Sequence, residues 1–355
     1  MRILLVTHLY PSPSYPYLGV FVKNQVEAFR NVGVEVLLSA VSFPSRGKSF
    51  VFLKYLLLFS RTLRLLFLPF DLVHVHYIYP PGLLGLMVKC IRRVPLVVTS
   101  HGGDINDMAE RNGINKFFTA VILKFSDAII TVSEDIKKKI VARYAIPTEK
   151  VRVINMGVNS KIFKPFPREE PEEKIILLFV GRLERVKGLD IILESLLYLP
   201  QEVHLLVIGE GREKGKYKRF VRDKGLQKRV EFLGGFPQEK LPFMYSQAHL
   251  TVIPSREESF GLVGLESMSC GTPVIASSRG GLTEYIKDGI NGFLVPSEEP
   301  AAWSEKISKV LKMYLSPQWE GLRKRGKGTA QKFSSLHQAE KVKKLYHTIL
   351  LNRGI

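Results

Sequence analysis

The chain has 355 residues, 45% of them hydrophobic and 24% charged, which is more than one hydrophobic core usually serves and excludes a disordered or low-complexity protein. Its formal charge of +19 favours an anionic partner: a phosphate-bearing ligand, an acidic membrane or a nucleic acid. Two cysteines, Cys90 and Cys270, are too few for a disulfide framework and fit a reducing, cytoplasmic setting.

The opening MRILLVTHLYP carries a four-residue apolar run, too short for a secretory signal. ILLVT (3–7), VEVLLSAV (34–41), LVHVH (72–76), LVVTS (96–100), AIITV (128–132) and VRVIN (151–155) read as fully buried strands. Helices such as GVFVKNQVEAFRNVG and EDIKKKIVARY lie between them, the latter capped by Ser133 with Glu134 and Asp135 in its first turn. Segment 50–70, FVFLKYLLLFSRTLRLLFLPF, is interrupted by Lys54, Arg61 and Arg64 and falls short of the roughly 20 apolar residues of a membrane span. On a helix these cations fall within about 80° of one another, a basic stripe on an otherwise apolar surface. Two readings stay open: a helix lying on a membrane surface, and a helix packed on a sheet with a solvated edge. This is the more basic half, with 22 Lys+Arg against 10 Asp+Glu in residues 1–164.

The rhythm breaks at FKPFPREEPEEK, rich in proline and charge, which reads as a linker over 164–174. It restarts with KIILLFVG, VHLLVIGEG, VEFLGG, LTVIPS, TPVIAS and GFLVP as strands, and helices at 188–199, 212–225, 238–247, 261–270 and 300–315. A closing helix, SSLHQAEKVKKLYHTILLN, spaces Leu336, Ala339, Val342, Leu345 and Ile349 for one apolar face. The fold class is therefore α/β: two doubly wound parallel-sheet domains facing across a cleft, 1–163 and 175–330, followed by a terminal helical segment, 331–355. Ligands of such sheets bind beyond the carboxyl ends of the strands.

Two strand-to-helix junctions carry chemistry. In PSREESFGLVGLESMSCGTPVIAS, Phe260 and Gly261 open a helix whose first-turn amides can receive a phosphate. Glu258 precedes that turn, and Glu266 lies about 7 to 8 Å further along the axis. Two carboxylates flanking a phosphate fit a sugar nucleotide; a solvated Glu258 and a core-bridging Glu266 are the alternative. In LLFVGRLERVKGLDIILESL, Arg182 follows the strand and Lys187 precedes the helix-opening Gly188, an arginine fork and a lysine point charge suited to a diphosphate. A solvated face would also hold such a pair.

GRLERVKG, PSREESFGLVGLESMSCGTPVIAS and GGLTEYIKDGINGFLV, in this order after LGVFVKNQVEAF, DLVHVHY, THGGD and INMGVNSKIFKP, resemble the retaining glycosyltransferases of family 4, which include glycogen synthases, sucrose synthases and lipid mannosyltransferases. Their mark is two glutamates separated by seven residues. The resemblance implies the GT-B arrangement of two Rossmann-like domains, with the nucleotide sugar held by the second, the acceptor by the first, and the closing helix crossing back to the first. It implies that Arg182 and Lys187 hold the diphosphate, Glu266 the ribose and Glu258 the donor sugar, while Phe260, Gly261 and Leu262 offer backbone groups. Gly235 or Phe236 would lie near the base, Gly19 near the diphosphate, and His101 near the sugar as a hydrogen-bonding group, not a nucleophile. The chain departs from the family at Asn159, where aspartate is usual, at Ser259, where glycine is common, and at Leu18-Gly19, usually a double glycine.

No Asp-x-Asp and no Cys/His cluster with ligand spacing occurs, so a metal-independent enzyme without a cofactor is expected. A nucleic-acid binder would interleave its basic residues, such as KKK (137–139), with exposed aromatics, a pattern that is missing here. A dehydrogenase would carry G-x-G-x-x-G where this chain has THLYPSPSYPYLG. The expected function is transfer of a hexose from a nucleotide-diphosphate sugar to a lipid-linked, glycan or small-molecule acceptor, at an anionic membrane surface reached through the first domain. A sugar-nucleotide-binding protein without activity, or a basic nucleic-acid-binding protein, is the alternative.

Overall fold

The computed structural model describes residues 1–43, 48–109, 111–168 and 174–354. These form two units, Met1–Gly157 together with the segment from Ser335 onward, and Val158–Ser334.

In the first unit, chain order is β1 (Arg2–Thr7), α1 (Val20–Asn31), β2 (Glu35–Ala40), α2 (Lys48–Leu65), β3 (Leu72–His76), α3 (Pro81–Arg92), β4 (Leu96–Ser100), α4 (Gly113–Phe125), β5 (Ala128–Thr131), α5 (Glu134–Tyr144) and β6 (Val151–Val153). The six strands pair in parallel in the order β2-β1-β3-β4-β5-β6, so the winding direction reverses between β1 and β3. One face of the sheet packs against α2 to α5 through Leu58, Val88, Ile122 and Ile140, the other against α1 through Val22, Val26 and Phe29. Coverage of both faces explains why strands such as LVHVH and LVVTS are buried at every position. Ser133 Oγ accepts the Ile136 amide and caps α5, as its sequence predicts.

The second unit continues with β7 (Ile175–Val180), α6 (Leu189–Ser195), β8 (Val203–Ile208), α7 (Lys214–Asp223), β9 (Val230–Gly234), α8 (Leu241–Gln247), β10 (Leu250–Ile253), α9 (Leu262–Ser269), β11 (Val274–Ser277), α10 (Leu282–Tyr285), β12 (Phe293–Val295), α11 (Pro300–Leu311) and α12 (Pro317–Lys332). Its parallel sheet runs β12-β11-β10-β7-β8-β9, reversing between β10 and β7. Last comes α13 (Ser335–Leu351), which packs on α1 of the first unit through Ala339, Val342, Tyr346 and Leu350. All twelve strands lie where the sequence places them.

Five expectations need correction. The first boundary lies at Gly157/Val158, not after 163: the Val158 amide bonds Phe333 O, and Phe163 packs on Tyr245. The expected linker lies partly outside the described residues, and its described start docks on the second unit, where Phe166 N bonds Ser246 Oγ and Arg168 bonds Gln247 O. Helix α12 is unannounced in the sequence because its buried stripe of Trp319, Leu322, Gly326 and Ala330 uses glycine and alanine, which do not read as an apolar face. On α13 the expected Ala339 and Val342 are buried and Leu345 and Ile349 pack against the core, but Leu336 is 39% exposed, and Tyr346 and Leu350 complete the face.

The fifth concerns α2, whose inward stripe of Lys54, Leu58 and Thr62 mixes polar and apolar groups while Arg61 and Arg64 stay exposed. Lys54 is 1% exposed, Arg61 donates to the Ala40 carbonyl and Thr62 Oγ1 meets Ser39 Oγ at 2.8 Å. Phe52, Leu56, Phe59 and Leu63 face outward, Phe52 being 71% exposed. The edge strand β2 offers polar groups to the helix, and Arg61 and Thr62 bond to them. Burial lowers the Lys54 ammonium to about 8.

Candidate active site

A cavity of about 100 Å³ opens at the carboxyl ends of β7 and β10, where the winding of the second sheet reverses. It is lined by Phe179, Val180 and Gly181 from β7 and its exit, by Lys187, and by Ser255, Glu258, Gly261 and Leu262 after β10. Lys187 Nζ donates to Glu258 Oε2 at 2.6 Å, and Ser255 Oγ donates to the same oxygen at 3.1 Å. With 21% and 13% of their side chains exposed, the lysine and glutamate form a shielded pair. Both bonds fall on Oε2, which leaves Oε1 for a ligand hydroxyl.

Arg256 explains how residues 71 positions apart come together. Its amide bonds Val186 O at 2.8 Å, and its guanidinium grips Asp190 at 2.7 and 2.9 Å, Glu298 at 2.9 Å and the Arg185 carbonyl at 2.7 Å. The loop after β10 is thereby stapled to the loop before α6. On the other side the Gly281 amide bonds the Glu258 carbonyl at 3.1 Å. Gly280, with φ +50°, lies so close that a Cβ there would stand 2.0 Å from Glu258 O. Gly261 precedes α9 as its N-cap, so the first-turn amides of Leu262 and Val263 open toward the cavity they line.

Other sequence candidates sit around this centre. Arg182 follows β7 with 69% of its side chain exposed, in an ion pair with Glu184 at 3.0 Å. Phe260 points its ring into an aromatic cluster with Tyr285 and Phe333, so only its backbone can serve a ligand. Glu266 accepts the Tyr245 hydroxyl at 2.9 Å, and burial pushes its carboxyl up to about 7. Gly235 and Phe236 follow β9 outside the cavity lining, exposed and half-buried respectively.

In the first unit, Gly19 is the N-cap of α1 with φ +68°, and a Cβ there would sit 2.5 Å from Leu9 O, so both conformation and space demand glycine. His101 follows β4, half-buried, between the rings of Phe21 and Tyr77 with centroids at 4.7 and 4.9 Å. Tyr77 itself takes φ +72°, a strained conformation for a bulky residue. Among the described residues, no group of three or more His, Cys, Asp or Glu could hold a metal ion, and no helix is long and apolar enough to cross a membrane.

Residues 18–161 match the family described as Glycosyltransferase Family 4, and residues 160–331 match that described as Glycosyl transferases group 1. The chain belongs to glycosyltransferase family 4. A D-inositol 3-phosphate glycosyltransferase of Thermobispora bispora is 31% identical over 268 residues, covering 68% of this chain and 62% of that protein. One from Mycobacterium tuberculosis is 29% identical over 267 residues, covering 70% and 55%. The chain thus spans 55% to 62% of the length of these curated relatives. Among solved structures, a sucrose-phosphate synthase of Thermosynechococcus elongatus has a TM-score of 0.82 at 23% identity, covering 99% of this chain and all of that one. Anabaena HepE in complex with UDP has a TM-score of 0.77 at 20% identity, covering 98% and 100%. These likenesses are of the GT-B fold.

Within this family-4 chain, the structure brings Lys187, Glu258, Gly261 and Leu262 to one cavity. Ser255, Tyr245, Arg256 and the Gly280-Gly281 pair were given no role by the sequence. Arg256 sits in the quoted SREES loop, but its partners Asp190 and Glu298 lie 66 and 42 residues away, and no local pattern announces them.

Proposed function

We propose that the chain is a metal-independent retaining glycosyltransferase that moves a hexose from a nucleotide-diphosphate sugar to an acceptor. The observation that carries this reading is the shielded Lys187–Glu258 pair beside the amino end of α9, at the reversal point of the second sheet. Lys187 and the α9 amides would hold the diphosphate, and Arg182 would turn from Glu184 toward the charge that grows as the diphosphate departs. Glu258 Oε1 would accept a sugar hydroxyl, Glu266 the ribose hydroxyls, and His101 would donate to the sugar or the departing group. Retention would follow from attack on the face that the diphosphate leaves. UDP named with one solved structure of this fold and UDP-glucose with another support a nucleotide-sugar donor.

The test is thermal stabilisation by UDP, GDP, ADP and their sugars without metal, on the wild type, Arg182→Ala and Lys187→Ala. A ligand at 100 times its dissociation constant stabilises by about 2.7 kcal/mol. One nucleotide series should stabilise the wild type and lose most of its effect in both variants. Stabilisation that survives in both would place the donor elsewhere.

The acceptor is lipid-linked, a glycan or a small molecule, and the outward apolar side of α2 favours a cytoplasmic enzyme working on an anionic membrane surface. That helix contains no carboxylate, and α4 adds exposed Ile114, Phe117 and Phe125 on the same side of the sheet. Apolar groups accompanied by cations alone suit the boundary of an acidic bilayer. The protein should co-sediment with phosphatidylglycerol vesicles and lose this with Phe52→Glu and Leu63→Glu, which alter exposed positions. Sedimentation unchanged by that double substitution would remove α2 from the contact.

A further inference from the structure

Three histidines from β3 and the exit of β4 form a row, His74 and His76 buried and His101 half-buried. His74 Nε2 contacts Thr99 Oγ1 at 2.7 Å, and its Nδ1 meets the Tyr346 hydroxyl of α13 at 2.5 Å. His76 Nδ1 contacts His101 Nε2 at 2.9 Å. The planes of His76 and His101 lie within 16° at a centroid separation of 5.1 Å, close to the bond plus the two ring radii. The rings therefore meet edge to edge, with the N–H of one aimed at the lone pair of the other. His76 Nε2 is buried without a partner. Burial lowers His74 and His101 to about 3 and His76 well below its ordinary value, so all three are neutral at physiological pH.

A neutral pair shares one proton across the 2.9 Å contact, and two arrangements are available. If His101 donated from Nε2, His76 would carry its proton on Nε2, a buried N–H with nothing to receive it. If His76 donates from Nδ1, its orphan atom is a lone pair, which is the less costly of the two. His101 must then carry its own proton on Nδ1. We propose that His76 is a positioning residue that fixes His101 in the Nδ1–H form, so that His101 presents a hydrogen-bond donor to the substrate. Which nitrogen of an imidazole is protonated follows from the bond made by the other. The sequence reading quoted DLVHVHY without giving this histidine a task. The inference rests on the proposed role of His101 at the sugar; its tautomer half does not.

The experiment uses the full chain labelled with ¹⁵N-histidine, which has 8 histidines to resolve. The His101 signals, assigned by their loss in His101→Gln, should show protonated Nδ1 and bare Nε2 in the wild type. In His76→Leu, which keeps bulk and removes the bond, both tautomers should appear. In His76→Asn, whose amide reaches toward the Nδ1 position, the single form should return. With the nucleotide sugar that stabilises the protein most in the panel above, His76→Leu should lower kcat about tenfold with little change in KM, and His76→Asn should recover most of it. Wild-type His101 protonated on Nε2 would overturn the proposal without any variant having to fold. An unchanged tautomer in a folded His76→Leu protein would do the same. If the tautomer behaves as expected but His101→Ala turns over the donor like wild type, the role of His101 at the sugar fails and the fixed tautomer stands as structure alone.

Discussion

Glu266 is the residue whose charge the fold sets against its proposed task at the ribose. Burial raises its carboxyl to about 7, while burial and then the Glu266 charge keep Tyr245 protonated as its donor. Because the folded-state value exceeds the unfolded one, the native state binds the extra proton between about 4.5 and 7. The folded protein therefore loses stability as pH rises through that window, and the loss is complete above it. Glu266→Gln should flatten the melting temperature between pH 5 and pH 8 relative to wild type. The ionised form is the stronger acceptor for the ribose hydroxyls of the proposed complex, so nucleotide affinity should run the opposite way, rising about tenfold from pH 6 to pH 8 in wild type and not in Glu266→Gln. Calorimetric titration at the two values checks this. An affinity that does not change with pH would detach Glu266 from the ribose. The two glutamates were visible in the sequence as a spacing, and so were Lys187 and Arg182 as cations at a strand exit. That Lys187 bonds Glu258, and that Tyr245 bonds Glu266, was not visible, because each pair is made by loops that only the sheet order brings together.

At the scale of elements, glycines separate helix chemistry from site chemistry. Gly328 lies within α12, and a Cβ there would meet nothing within 4 Å. Gly328→Ala should stabilise the protein by about 0.5–1 kcal/mol by relieving the entropic cost of glycine in a helix. Gly280→Ala should do the reverse: its φ of +50° and the Glu258 carbonyl at 2.0 Å force the Glu258 loop to move. Denaturant melts of both variants, with nucleotide titration of the second, check the pair. Preserved nucleotide binding in Gly280→Ala would show that the loop can move without losing the ligand. Strands were legible throughout because fully buried runs such as LVVTS admit few other readings. The orientation of α2 was not. Its periodicity marks a basic stripe, but the side that turns inward joins Lys54 and Thr62 to Leu58, with Thr62 and Arg61 bonded to Ser39 and Ala40 and Arg64 left exposed.

For the whole molecule, α13 is the informative segment. It follows the second unit in the chain but completes the core of the first, burying Ala339, Val342 and Tyr346 beside Val22, Val26 and Phe29. Removing residues 335–355 should strip protection from β1 and α1 in hydrogen exchange and leave β7, β8 and β10 protected. Loss confined to β7 and β10 would contradict the division into these units. The sequence by itself determined twelve strands, two parallel doubly wound sheets and the strand exits where chemistry could lie, because burial on both faces and abrupt strand-to-helix changes are written in local residue order. It determined the charged groups at the candidate site for the same reason. The tertiary structure alone decided which groups meet: Lys187 with Glu258 through the Arg256 staple, His76 with His101 across β3 and β4, and α13 with α1. Those contacts depend on strand order and crossover, which place residues 25 to 311 positions apart side by side, and no local pattern encodes a partner at that distance.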